Sequence, residues 1–348
     1  MTNRWKHKPP GSNWGEFGPH DQRGRMNYVT REKVLQGIAE VKEGLTFCLS
    51  LPLDYPGGNA LNPRRHPPRQ FATLRANGAQ NFCYPMSRDS PLSTDVVCDD
   101  LVLLTLQYST QWDSLAHIGS QFDADGDGQP EVVFYNGFRG GEHVRPAEAN
   151  PGAEAWAKYE GARAVALGIE NLAEHGAQGR GVMIDLHHHF GRERKAVNFD
   201  DLMRVLEADR VEIERGDMVC LYTGFADVIL ELDRKPDPQL LHHTCSGLDG
   251  RDGKLLNWVT DSGLACLISD NYAVELIPTS PFKPMKHAAM PLHEHCIFKN
   301  GIHLGEMWYL TGLARWLRAH GRNRFLLTAP PLRLPGAVGS PAVAVATV

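Results

Sequence analysis

Four side chains able to do chemistry sit at short intervals in one stretch, "TLQYSTQWDSLAHIG", which runs from 105 to 119: Gln107, Gln111, Asp113 and His117. A carboxylate ligates hard or borderline cations, and an imidazole titrating near neutrality either ligates a cation or moves protons. The run that leads into them, "LVLLTLQYSTQWD", is rich enough in β-branched and aromatic residues to be read as a strand. Alternation then puts Leu104, Leu106, Tyr108, Thr110 and Trp112 on one face. Thr105, Gln107, Ser109, Gln111 and Asp113 fall on the other. That pattern by itself also describes a half-solvated antiparallel strand. What makes it chemically competent is His117, four residues past Asp113, within a turn of it where the strand ends.

Such a strand needs a scaffold, and the rest of the chain reads as one mixed α/β unit. "TREKVLQGIAEVKEG" carries Val34, Ile38 and Val41 at helical spacing, with Thr30 as N-cap and Gly44 past the end. "AWAKYEGARAVALG", "NFDDLMRVLEAD" and "GKLLNWVTDSG" read as further helices. "GRGVMIDLHHHFG", "GDMVCLYTGF" and "GLACLISDN" read as short buried strands. Strand and helix patterns alternate through the second half, the mark of an α/β layer structure, and no internal repeat is present. Residues 54–95, dense in Pro, Gly, Asn and Arg, read as a long surface excursion of the lid or binding kind.

The motif Gln107, Ser109, Thr110, Gln111, Asp113, His117 resembles the signature His-x-Gly-Thr-His-x-Asp-x-x-x-His of the cyclase superfamily. That superfamily contains bacterial kynurenine formamidase, isatin hydrolase and related metal-dependent amidohydrolases. "GRGVMIDL", "GDMVCLYTGF", "SDNYAVE" and "LHEHCIFKNGIHLGEMWYL" resemble the later blocks of the family in the same order, so the likeness covers most of residues 14–315. It implies a mixed-sheet α/β fold of the swivelling β/β/α type, as a single domain over 1–348. Residues 1–29 would be an N-terminal extension and 326–348 a tail packed on the surface or at an oligomer interface. It also implies a homodimer or homotetramer.

By the same resemblance the metal ligands fall on Gln107, Gln111, Asp113, His293 and Glu306, with His295 competing for the place of His293. The catalytic groups fall on His117 as general acid/base, with Gln111 and Glu306 assisting. The implied reaction is hydrolysis of a C–N or C–O bond in a small carbonyl substrate: an amide, imide, lactone or ester, a cyclic one above all. Gln107 and Gln111 stand where the family has metal-binding histidines. An amide oxygen is a weak neutral donor, so zinc affinity should fall and the site should lean toward harder cations; Mn, Zn and Mg are the candidates. Either a cation survives on the remaining ligands, or His117 works without metal as the base of a lyase, cyclase or isomerase. A non-catalytic binding protein on the same fold is the third reading. Retention of four polar groups that are costly to bury argues against it.

The remaining features bound the answer. A chain of 348 residues with 42% hydrophobic content can bury a sizeable core. A net charge of −5, with no block of like charges and no basic face, makes nucleic acid a poor partner. No apolar run suits export or membrane spanning, so the expected setting is cytoplasmic. Seven scattered cysteines without a CxxC suit reduced thiols, and Cys245 lacks a partner that would make it a nucleophile. "DADGDGQPE" begins like a calcium loop but has Phe134 where the bidentate glutamate belongs, so a turn tied by Asp side chains is expected. Tyr135 and Asn136 either face the pocket or end a hairpin. Of the three histidines 187–189, His188 is the best placed for a pocket, although a surface role suits all three. Asp270 and Glu275 are read as structural braces.

Overall fold

The computed structural model describes residues 4–277 and 287–348. Nine strands make one sheet: β1 (Thr46–Cys48), β2 (Gln111–Asp113), β3 (Gln178–Asp185), β4 (Met218–Tyr222), β5 (Cys266–Ser269), β6 (His303–Glu306), β7 (Arg324–Thr328), β8 (Gly339–Pro341) and β9 (Val345–Thr347). Their order is β1-β9-β7-β3-β4-β5-β6-β2-β8. The central four, β3 to β6, are parallel and buried along nearly their whole length, as expected of apolar runs covered on both faces. Every other pairing is antiparallel.

Helices cover both faces. On one side α2 (Phe199–Ala208) and α3 (Gly253–Asp261) bury Leu202, Val205, Leu255 and Val259 against Val182, Val219 and Leu267. On the other, α4 (Thr311–Ala319) places Leu313 and Leu317 beside Met183, Cys220 and Phe325. The edge-to-face pair Trp112 and Trp308 lies in that same core. Side chains cap the helices as their sequences suggest: Asn198 accepts from the Asp201 N–H, and Asp252 from that of Lys254.

The helix predicted after Thr30, α1, forms over Arg31–Ala39, with the Thr30 hydroxyl accepting from the Lys33 N–H. Its buried face is not the apolar one, however. Ile38 is exposed, while Lys33 and Gly37 turn inward. Lys33 meets Asp217 at 3.1 Å and Glu214 at 3.2 Å, and both carboxylates also receive Arg180. The cost of burying a lysine is met by a carboxylate cluster that periodicity does not reveal.

Four other expectations are corrected. The segment 155–168 is not a helix: apart from a short 3-10 turn it forms two-stranded ribbons with 144–149, bent at Gly161, whose φ of +78° a side chain would resist. The long strand expected through 101–113 breaks in two. Asp100–Leu103 pairs with Arg69–Ala72 in a peripheral hairpin, and residues 104–110 turn before β2 begins. Hydroxyls take the place of the ladder there: Ser109 donates to the Pro52 carbonyl, and Thr110 donates to that of Met307 while accepting the Leu51 N–H. The histidines 187–189 lie on a short helix, Leu186–Phe190, rather than on a strand. Lastly, residues 326–348 are no surface tail, since they supply β8, β9 and most of β7, and bury Ala342, Ala344, Ala346 and Val348. The N-terminal segment likewise buries Trp5, Trp14 and Met26. Among the described residues no helix is long and apolar enough to cross a membrane.

Candidate metal centre

Gln111 and Asp113 lie two apart on β2 and therefore share a face, while Trp112 points into the opposite core. The antiparallel register sets Glu306 across from Gln111 and Leu304 across from Asp113. From this pairing the Gln111 amide, Nε2, donates to Glu306 Oε2 at 2.7 Å. His293 arrives on the short helix Pro291–His293, which runs on into a π-helical turn over Glu294–Lys299, a local distortion common at functional sites. Asp113, His293 and Glu306 are all buried, and each offers a ligand atom within 4.8 Å of the others.

His293 is held from both ends. Its Nδ1 lies 2.7 Å from Glu275 Oε1 and its Nε2 3.0 Å from Glu306 Oε1. Glu275 in turn accepts the backbone N–H groups of Leu292 and His293. Burial works to lower the pKa of His293, but the two carboxylates outweigh it and raise it to about 10. Both ring nitrogens thus face carboxylate oxygens, which favours a proton on each. Asp113 moves the same way for different reasons: burial, then the nearby Glu306 charge, raise its carboxyl well above the usual range against the opposing pull of His293 and Arg65.

Both carboxylate oxygens of Asp113 and the Oε1 of Gln111 are buried without a hydrogen-bond partner. Three orphaned oxygens beside a histidine and a second carboxylate fit a divalent cation, because desolvated oxygens of this kind cost several kcal/mol each unless something positive or protic meets them. Gln111 thus orients Glu306 with its nitrogen and keeps its oxygen bare.

His117 follows β2 in a turn closed by its own N–H to the Ser114 carbonyl, with Nε2 3.7 Å from Asp113 Oδ1. Burial first, then the neighbouring His293 and Arg65 charges, push its pKa down to about 3, so it stands as the neutral base. His117, His293 and Glu306 line a cavity of about 980 Å³. Its walls carry Arg65, Tyr108, His242 and Tyr272. Gln107 also lines it, from the turn before β2, with its amide so near Gly339 that a side chain there would collide.

Other predicted residues fall elsewhere. His295 is separated from His293 by the turn and instead pairs with Thr260 at 2.8 Å. His188 is exposed, and His187 is tied to the Thr223 and Gly191 carbonyls. Asn136 fastens the N-terminal segment through the Gly15 N–H and the Gly18 and Asp21 carbonyls. Asp123 closes the turn predicted for it by accepting from Gly126, Asp127 and Gly128. Cys245 is buried, which raises its thiol to about 12. Asp270 is a brace, accepting from Thr223 and Gly224. Glu275 is the residue sequence reasoning undervalued: it orients His293, and the only signal for it was its place in the block "SDNYAVE".

A three-layer α/β fold with a buried carboxylate and histidine centre at the junction of parallel and antiparallel strands defines the class. The Cyclase family model matches residues 49–276, and the chain belongs to that family. A crystal structure of a novel cyclase is 28% identical and superposes with a TM-score of 0.71, covering 98% of this chain and 100% of that one. Isatin hydrolase A from Labrenzia aggregata, solved with benzyl benzoate, is 11% identical with a TM-score of 0.52, over 90% of this chain and 97% of that one. Isatin hydrolase A from Ralstonia solanacearum is 14% identical with a TM-score of 0.52, over 91% and 97%. At those identities the two hydrolases share the fold. No curated protein matches the chain.

Proposed function

We propose that this protein is a hydrolase that cleaves a C–N or C–O bond in a small amide, imide, lactone or ester, with a divalent cation held by Asp113, His293 and Glu306. The observation that carries the reading is the set of orphaned buried oxygens on Asp113 and Gln111, beside His293 and Glu306, which line a cavity together with His117. Bound there, Mn, Zn or Mg would supply Lewis-acid polarisation and a more acidic water. The chain's own groups supply the rest. His117 is neutral at ordinary pH and can take a proton at Nε2. With its pKa near 3, its conjugate acid gives that proton up readily to a departing nitrogen or oxygen. Gln111 holds Glu306 in place, and Glu275 fixes the ring of His293. The wall segment 56–65 and Tyr272 flank the cavity in which the reacting carbonyl would sit.

Homodimer or homotetramer formation belongs to the same proposal. The peripheral hairpin sets Phe71 across from Leu101, both exposed, with Leu74 exposed nearby, an apolar face that a second copy would cover.

The test is metal content by elemental mass spectrometry, together with turnover of cyclic imides, lactones and N-formyl aromatics before and after chelation. Stoichiometric metal whose removal abolishes turnover is the expected result. Activity that survives complete chelation would instead favour a metal-free reaction centred on His117.

A further inference from the structure

Resting on that reading, the cavity wall also names a substrate class. Apart from its histidines, the charged side chains lining the cavity among the described residues are Glu306, which Gln111 and His293 already engage, and Arg64 and Arg65. The charge left on the open wall is therefore cationic. Arg65 is half-buried, and among the described residues its side chain has a single hydrogen bond, from Nη1 to the Gln107 carbonyl at 2.8 Å. No carboxylate pairs with it among the described residues, in contrast to Arg180, Arg318 and Arg324; Arg25, which also has no carboxylate, is instead engaged by three oxygen acceptors. It stands close enough to Asp113 and His117 for its charge to act on both.

An arginine fixed by one nitrogen to a backbone carbonyl keeps its remaining N–H groups in a planar fork suited to a carboxylate. We infer that Arg65 is a specificity-determining residue that binds a carboxylate on the substrate, so that the preferred substrate is an anionic carbonyl compound whose carboxylate lies a few bonds from the scissile carbon. Tethering to the Gln107 carbonyl pre-orients the guanidinium, which limits the side-chain entropy lost on binding.

The experiment compares the wild-type protein, Arg65→Gln and Arg65→Lys as purified. Calorimetric or competitive binding is measured for benzoate and its neutral counterpart benzamide, and turnover for N-formyl-2-aminobenzoate and N-formylaniline. The wild-type protein should prefer benzoate by roughly 10- to 100-fold, the range of a charge-assisted pair. Arg65→Gln should erase that preference, and Arg65→Lys should restore part of it. In turnover, the loss in Arg65→Gln should be larger on the carboxylated substrate than on N-formylaniline, with the excess appearing in KM. Equal binding of benzoate and benzamide by the wild-type protein would overturn the inference. So would a benzoate preference undiminished in Arg65→Gln, which would mean the carboxylate sits elsewhere, or equal losses on both substrates. If neither formamide is turned over but the Arg65-dependent benzoate preference is present, the anion site stands and the proposed reaction is what fails.

Discussion

A carboxylate sealed in a protein interior without a donor is unstable unless something else meets it, and Asp113 is such a group. Replacing it with asparagine should abolish metal retention and lower turnover by about a thousandfold or more. The same change should leave the metal-free protein as stable as before or more so, read as the unfolding midpoint in chelator. Glu275→Gln, which weakens the grip on His293 without removing a ligand, should cost roughly 10- to 100-fold in metal affinity. Because His293 holds its proton up to about pH 10, the cation must displace it. Metal binding at pH 7 should then release at least one proton, seen as a buffer-dependent heat in calorimetry, and affinity should rise with pH. Away from the centre, His295 titrates near 6.5 when unfolded but at about 4 when folded, since burial disfavours its charge. Its contribution is complete above pH 6.5 and fades as pH falls toward 4, about 3 kcal/mol in all. His295→Gln should flatten the stability curve over that interval. At this scale the sequence was informative about Asp113 and His117, whose spacing alone suggested joint chemistry. His293 and Glu306 were reachable only through resemblance, because no local pattern links them to β2. Arg65 left no signal of role, and Glu275 only its place in the block "SDNYAVE", since what defines them is the partner they meet or lack across long stretches of chain.

Elements were legible where their own residues decide them. The parallel strands β3, β4 and β5 are short apolar runs bounded by turn residues, and α2 and α3 carry both periodicity and caps. Where pairing across the chain decides, pattern misled. Each of β8 and β9 is three residues long within a Pro- and Ala-rich segment, and only its neighbours in the sheet make it a strand. The helix over Arg31–Ala39 shows the same lesson in reverse, because its inward face is chosen by close approach to β3 rather than by hydrophobicity. A Cβ on Gly37 would lie 2.7 Å from the backbone of Gly179. Gly37→Ala should therefore cost about 1–3 kcal/mol in chemical unfolding despite the better helix propensity of alanine. Activity per folded molecule should be unchanged.

For the whole molecule, the surface excursion predicted over 54–95 divides into two parts. Its first part lines the cavity, and its later part supplies one strand of the apolar hairpin for which we propose self-association. Phe71→Ser with Leu101→Ser should shift light-scattering mass from a dimer or tetramer to a monomer, with the circular dichroism spectrum retained. The position of β2 has one more consequence, and it concerns biosynthesis. Asp113 is flanked by Leu304 on one side and Gly339 on the other, and both are made long after it. While the chain is being translated, the strand that carries this carboxylate is an unpaired edge, open to water and to wrong partners. Folding of this centre therefore waits until β6 and β8 have been made, and the cation proposed for it would be captured only after them.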